Sequence, residues 1–329
     1  MRLIFKLLCS AVLVSASMAA SAYSSLVVFG DSLSDSGNNT LAVGTLAQTV
    51  TDNSYIPTYT YASGVYSNGP VWATQFADKL GLSLTPSLLG GTNYAFGGAQ
   101  TSVYVPGVNT PSLTVQTGMY LTDKAGTADA TGLYVVAGGG NNIRATITAV
   151  VAELMAGTPW NIPDIIGAAA MQFATDIGNI VDSLQGAGAK DIIVWNAPNL
   201  GITPAVTAAG GAGLGTLISQ SFNDVLTWRL SSETDVKTFD LFGLAGQAAA
   251  NGFTNTTDAC GATNAACNSD MSKNLFWDGI HPTTAAHTLI AENMYVTAVP
   301  EPETLVLMAV GLGLIAVRTR RRAAALQAV

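Results

Sequence analysis

The chain has 329 residues, of which 49% are hydrophobic and only 10% charged, with a formal net charge of −8; an ordinary soluble domain carries roughly 25% charged residues. The average conceals three regions. Residues 1–22 and 305–322 hold six of the 13 Lys/Arg, whereas residues 23–299 carry 7 Lys/Arg against 19 Asp/Glu, a net charge of −12. So acidic a body excludes electrostatic nucleic-acid binding, which needs a basic face to displace phosphate counterions. It also argues against docking on anionic lipid, and its Val, Ile, Leu and aromatic content excludes disorder.

Arg2 and Lys6, the apolar stretch through Leu7, Leu8, Val12, Leu13 and Val14, and the small-residue end Ala20-Ser21-Ala22 have the three parts of a secretory signal peptide. A retained membrane anchor is the alternative. Leu26-Val27-Val28-Phe29 is a continuous apolar run stopped by Gly30, as a buried parallel strand would be. The following Asp31-Ser32 puts a hydroxyl at a strand-to-helix turn, where backbone N–H groups stabilise negative charge. A Ser there also serves as a plain cap. Trp72, Phe76 and Leu80 mark a short helix with Pro70 placed to start it.

Strand-like runs recur at Leu133–Ala137, Ile192–Trp195 and Val236–Phe239, with a weaker one at Asn93–Phe96. Between them, residues 164–184 and 213–231 repeat apolar positions at amphipathic-helix spacing, and residues 284–296 read as a last helix. This alternation predicts one α/β domain over residues 23–299: a three-layer α/β/α fold on a mainly parallel sheet, with its site at the strands' carboxyl ends. Residues 40–66, 99–130 and 243–275 lack clear periodicity and read as loops decorating that edge.

Loss of the signal segment removes Cys9 and leaves Cys260 and Cys267 as a disulfide pair suited to an oxidising compartment. A lone Cys pair lacks the further ligands of a zinc site, and no metal is expected. After Pro300-Glu301-Pro302 come thirteen apolar residues, Leu305–Val317, then Arg318, Arg320, Arg321 and Arg322. As a helix that run rises about 20 Å, short of a hydrocarbon core of about 30 Å. The Arg cluster stays cytoplasmic and the body lies outside. Residues 300–322 thus resemble the PEP-CTERM sorting signal of Gram-negative bacteria, with residues 323–329 a short remnant. That resemblance implies an exosortase-type processing partner, transient membrane association through the tail, and a cell-surface, matrix or secreted destination. A permanent C-terminal anchor is the alternative.

Phe29-Gly-Asp-Ser-Leu-Ser-Asp-Ser-Gly-Asn-Asn39 resembles the first block of the GDSL, or SGNH, hydrolase family; no G-x-S-x-G elbow is present. Tyr66-Ser-Asn-Gly-Pro-Val-Trp72 is similar to a block of its lipase-type members, and Asn93-Tyr-Ala-Phe-Gly-Gly-Ala99 to the second block. Gly138-Gly-Gly-Asn-Asn142 resembles the third, G-x-N-D, with Asn142 where Asp is common, and Phe276-Trp-Asp-Gly-Ile-His-Pro282 the D-x-x-H-P of the last. The resemblance implies a flavodoxin-like fold, Ser32 as nucleophile, His281 as base and Asp278 as its carboxylate. It also implies an oxyanion hole made by the N–H groups of Ser32 and Gly98, with Gly97 as alternative, and by the amide of Asn141. Chemical logic agrees: the imidazole takes the Ser proton, and a carboxylate three residues earlier in a tight turn reaches the same ring. Asp35 is assigned to holding the turn, and Phe276 and Trp277 to core or pocket wall.

The expected reaction is hydrolysis of a small-molecule or lipid carboxylic ester without a cofactor. Deacetylation of extracellular polysaccharide is the second reading, and a non-catalytic matrix protein on an esterase scaffold the third. Of the chain's two histidines, His287 lies among Ala285, Ala286, Leu289 and Ile290 without a carboxylate at i+3 or i+4, and is expected to pack rather than react.

Overall fold

Four apolar runs become strands β1 (Leu26–Gly30), β2 (Leu133–Ala137), β3 (Asp191–Trp195) and β4 (Val236–Phe239). They pair in the order β1-β2-β3-β4, all parallel, with Leu26 opposite Leu133 and Gly30 opposite Ala137. The structure, a computed structural model, describes residues 23–102, 110–261 and 267–299, together with Gly311, Ile315 and Arg318. The signal segment and the Pro300-Glu-Pro302 motif lie outside the described residues. Among the described residues no helix is long and apolar enough to cross a membrane.

Successive strand side chains point to opposite faces, and both faces of this sheet are apolar, so both are covered. The helices are α1 (Asn38–Val43), α2 (Trp72–Leu80), α3 (Leu113–Asp123), α4 (Gly140–Ala156), α5 (Ile162–Gly186), α6 (Pro204–Ala208), α7 (Ala212–Leu230), α8 (Leu241–Gly246) and α9 (Thr284–Ala298). Val27, Phe29, Tyr134, Val136, Ile192 and Val194 pack under α3, α4, α5 and α7, through Tyr120, Ile143, Phe173, Ile177 and Phe222. Leu26, Val28, Leu133, Val135, Ile193 and Trp195 pack under α2 and α9, through Trp72, Phe76, Ile290 and Met294. The three-layer α/β/α expectation holds. Outside the main sheet, β5 (Asn255–Ala259) and β6 (Asn274–Phe276) form a two-stranded parallel pair, and a disulfide joins Cys260, just after β5, to Cys267.

Three local expectations are corrected. Asn93–Phe96 forms no strand of its own, yet it covers the outer edge of β1. Val28 donates to the Thr92 carbonyl (3.1 Å), Tyr94 to that of Val28 (2.8 Å) and Phe96 to that of Gly30 (3.2 Å). The two glycines that follow then turn the chain away. Residues 99–130 and 243–275 are not loops throughout, since they contain α3, β5 and parts of α8 and β6. Their periodicity is blurred because polar residues occupy buried positions: α3 buries Leu113, Gln116, Thr117 and Tyr120 at helical spacing. Helix α4 escapes a hydrophobic reading for the same reason, burying Asn142 and Thr146 beside Ile143 and Val150. Finally, Pro70 precedes the N-cap Val71 of α2 rather than entering its first turn.

Gln116 shows why those polar positions matter. Its side chain accepts from the Gly30 N–H (2.9 Å) and donates to the Gly30 carbonyl (2.9 Å), completing the end of β1 just before the turn to Ser32. Replacing it by Leu removes a partner of the buried Gly30 N–H, at about 1–3 kcal/mol. The urea midpoint of Gln116→Leu is therefore expected to fall by a corresponding amount. An unchanged midpoint would show that the clamp does not support the strand end.

Candidate active site

The site is assembled where β1 and β2 end. Beyond Gly30 the Asp31 carbonyl accepts from the N–H groups of Ser34 and Asp35 (both 3.0 Å), closing a turn that presents Ser32 at the sheet's carboxyl edge. Asp35 is fully buried, and its carboxylate accepts from the backbone of Gly37 (2.8 Å), Asn38 (2.7 Å), Asn39 (3.2 Å) and Gly97 (3.0 Å). Its turn-holding role follows from those bonds. Burial pushes its pKa up, while the four N–H donors act in the opposite sense. Asn38 and Asn93 tie the same segments further. Asn38 donates to the carbonyls of Asn93 (2.8 Å) and Ala95 (2.9 Å), and Asn93 donates to that of Ser34 (2.8 Å).

At the end of the chain, residues 277–281 form a turn organised by Asp278. One carboxylate oxygen accepts from the N–H groups of Ile280 (2.9 Å) and His281 (2.8 Å), which folds the turn. The other lies 2.8 Å from His281 Nδ1. His281 Nε2 is in turn 2.8 Å from Ser32 Oγ. The structure therefore brings together Ser32, His281 and Asp278 across 249 residues of sequence. All three are buried. A carboxylate on Nδ1 holds the proton there and leaves Nε2 to accept from the Ser32 hydroxyl.

The oxyanion candidates divide. Gly97 spends its N–H on Asp35, and a Cβ there would lie 2.1 Å from the Tyr66 ring. Gly98, at φ +85°, makes no backbone N–H bond to the described residues, so the geometry favours Gly98 over Gly97. Asn141, in the first turn of α4, donates to the Ala99 carbonyl (3.0 Å) and accepts from Arg144 Nη1 (3.4 Å). Both partners require the same orientation of its amide. One N–H makes no bond to the described residues, and Asn141 lines the same cleft as Ser32 and His281. Asn142 does not approach Ser32. It exchanges bonds with Thr101, accepting from its N–H (3.2 Å) and donating to its hydroxyl (2.9 Å), so it anchors the segment that carries Gly98.

The cleft encloses about 850 Å³, part of it open to solvent, and is walled largely by Leu200, Leu241, Leu244, Leu275, Phe276 and Leu289. Phe276 thus serves as pocket wall. Trp277 packs edge-on against Tyr61, at 5.8 Å and 84° between rings. Asp31 also borders the cleft, and burial pushes its pKa up to about 6. Among the described residues no group of His, Cys, Asp and Glu is arranged to hold a metal.

Two aromatic residues were not assigned a role from sequence. Tyr61 donates to the Asp278 oxygen that also bonds His281 (2.8 Å), and the Tyr66 ring lies against the His281 ring at 5.3 Å. Burial and the adjacent Asp278 charge both push the Tyr61 pKa up, so it stays a donor. Tyr66 belongs to a recognisable block, whereas Tyr61 lies in an aperiodic stretch with no local signal. Tyr61→Phe keeps the ring packing but removes a bond to a buried carboxylate, worth about 1.5–3 kcal/mol. Urea unfolding is expected to register a loss of that size; full stability would remove Tyr61 from the carboxylate's support.

His287 stands apart. It is buried on α9, its Nδ1 has no partner among the described residues, and burial lowers its pKa to about 3, with the nearby His281 adding to the shift. The unfolded chain protonates this group near pH 6.5, so its contribution to stability is complete above that pH and lost progressively as pH falls toward 3. Asp31 has the opposite sign, stabilising fully below its ordinary pKa of 3.8 and less as pH rises through 6. Relative to wild type, His287→Gln is expected to flatten the fall in urea midpoint between pH 6.5 and 4. Parallel midpoint curves for the two proteins would contradict this.

Residues 26–294 match the family of GDSL-like lipases and acylhydrolases, and residues 298–322 match the PEP-CTERM protein-sorting motif. The chain is 29% identical over 325 residues to Esterase EstA of Pseudomonas aeruginosa, covering 84% of this chain and 47% of that protein. It is 33% identical over 204 residues to Lipase 1 of Photorhabdus luminescens, covering 60% of this chain and 26% of that one. Over 328 residues it is 24% identical to a GDSL esterase/lipase of Arabidopsis thaliana, covering 81% of this chain and 88% of that one. The chain thus spans about half or less of the length of the two bacterial relatives.

Proposed function

The chain belongs to the family of GDSL-like lipases and acylhydrolases, and from that footing we propose that it is an exported serine hydrolase of carboxylic esters whose acyl part is apolar. The observation that carries this reading is the buried relay in which His281 lies 2.8 Å from Ser32 Oγ on one side and 2.8 Å from Asp278 on the other, opening onto the apolar cleft. The acyl chain occupies that cleft with its ester carbonyl over Ser32.

As Ser32 Oγ attacks the carbonyl carbon, its proton passes to His281 Nε2, and Asp278 stabilises the imidazolium. Negative charge develops on the carbonyl oxygen, where the N–H groups of Ser32 and Gly98 and the remaining amide N–H of Asn141 converge. The imidazolium then gives its proton to the leaving alcohol. Water, deprotonated by the same ring, attacks the acyl-enzyme and releases the acid. The relatives' names, esterase and lipase, support the reaction class, and the cleft's apolar walls favour acyl esters over acetylated polysaccharide.

The PEP-CTERM motif implies export and exosortase-type processing. We extend this to cleavage near Pro300-Glu-Pro302 after the run Leu305–Val317 has held the chain briefly in the membrane.

Hydrolysis of 4-nitrophenyl butyrate tests the reading. Ser32→Ala and His281→Ala are each expected to lower kcat by about 10⁴-fold or more, and together by no more than either alone, because the residues act as a unit. Asn141→Ala should cost about 10²–10³ in kcat, the worth of one oxyanion donor. Full activity in folded Ser32→Ala protein would sink the proposal.

A further inference from the structure

Arg144 stands one helical turn beyond Asn141 on α4 and is the one cation among the described residues that line the cleft, apart from a protonated His281. Its side chain is partly buried against that wall. Among the described residues its one hydrogen bond is a long one, 3.4 Å, from Nη1 to the neutral Asn141 amide oxygen. Among the described residues the ion pairs involve Lys79, Arg229 and His281 but not Arg144. A guanidinium presents five N–H donors in a planar fork that matches the oxygens of a carboxylate or phosphate. Among the described residues at most one of them is used. Orienting Asn141 needs no more than that one, because the Ala99 carbonyl already fixes the same amide from its other end (3.0 Å).

Arg144 borders a cleft whose walls at Leu241, Leu244, Leu275 and Ile290 are apolar. The cleft is therefore two-ended. The apolar end accepts a hydrocarbon chain, and the end at Ser32 and Asn141 holds both the Arg144 guanidinium and the Asp31 carboxylate. We propose that Arg144 binds an anionic group, a carboxylate or phosphate, carried by the ester substrate. The preferred substrate class is then an anionic amphiphile rather than a neutral ester. This rests on the esterase reading and names the substrate class of the same site. The Asp31 carboxylate borders the same cleft without pairing with Arg144. Asp31 stands at the same end, its Oδ2 3.8 Å from where a Cβ on Gly140 would lie, so an anion is held there only in direct contact with the Arg144 fork.

The two sources of such an anion are the acyl part and the alcohol part, and matched ester pairs separate them. On the acyl side, 4-nitrophenyl hydrogen glutarate is compared with 4-nitrophenyl pentanoate. On the alcohol side, hexanoylglycerol 3-phosphate is compared with hexanoylglycerol, by titration of released acid. Wild type is expected to favour the anionic member in one arm by about ten- to hundredfold in kcat/KM, the worth of a charge-assisted hydrogen bond. The ratio should collapse toward one in Arg144→Gln and survive in part in Arg144→Lys, which keeps the charge without the fork. The arm that shows the preference identifies where the anion sits. A ratio near one in both arms for wild type overturns the proposal, as does an unchanged ratio in the folded variants.

Binding separates this from failure of the esterase reading, because Ser32→Ala protein needs no turnover. By calorimetry it should bind hexanoylglycerol 3-phosphate, or hydrogen glutarate ester, more tightly than the neutral partner, and lose that difference when Arg144→Gln is added. Equal binding of neutral and anionic members overturns the anion site even if the enzyme proves an active esterase.

Discussion

A carboxylate with no exposure to water is tolerated only where hydrogen-bond donors replace its hydration, since leaving it bare costs several kcal/mol. Asp278 is such a group, and the arrangement of this site follows from satisfying it. Two of its donors are the backbone N–H groups of Ile280 and His281, which fold residues 278–281 into a turn. The third is the His281 ring, so the bond that satisfies the carboxylate also sets the direction of the imidazole. The fourth is Tyr61, more than 200 residues earlier in the chain, and it recruits the loop before α2 as a lid over the turn. Gly279 shows how closely that loop lies: its N–H bonds the Tyr55 carbonyl at 2.8 Å, and a Cβ there would come within 2.5 Å of the same oxygen. A residue larger than glycine would push the loop and Tyr61 away together.

Asp35 solves the same problem for a different purpose. Its four donors are all backbone, three from its own turn and one from Gly97. It thus binds the segment carrying Ser32 to the segment carrying Gly98, while Gln116 completes the strand end beneath them. One buried carboxylate positions the His281 ring and the other positions the backbone around Ser32. Having no proton-accepting partner ring, Asp35 plays no part in the relay, although it lies only three residues from Ser32.

Much of this could be read from residues. The strands announce themselves because a parallel sheet covered on both faces has continuous apolar runs, as at Leu133–Ala137. The turn at Asp278 is local, with its carboxylate and ring three residues apart, so spacing allows the pair and the family resemblance singles it out. What escaped reading was of two kinds. Helices α3 and α4 bury Gln116, Thr117, Asn142 and Thr146, whose function is to hold strand ends and loops, and a hydrophobic pattern counts them as solvent-facing. Tyr61 acts across 217 residues within a Thr- and Tyr-rich stretch of no regular period. No local rule announces such a contact. Arg144 is intermediate, since its place three residues after Asn141 on a helix follows from spacing once α4 is recognised.

The scarcity of charge gives this last residue its weight. The body carries a net charge of −12, so its long-range field repels an anionic substrate rather than steering it inward. At physiological ionic strength that repulsion is screened beyond about 8 Å, whereas a contact within the cleft, with low-dielectric walls and little water, is screened far less. Discrimination in favour of an anion must therefore arise at short range and after entry, which requires a cation inside the cleft rather than on the surface around it. Such an arrangement raises affinity through slower release more than through faster capture. On the proposed reading, an acidic exterior with a guanidinium inside the cleft selects among esters that have already entered, without gathering anionic polymers or lipid surfaces to the outside of the protein.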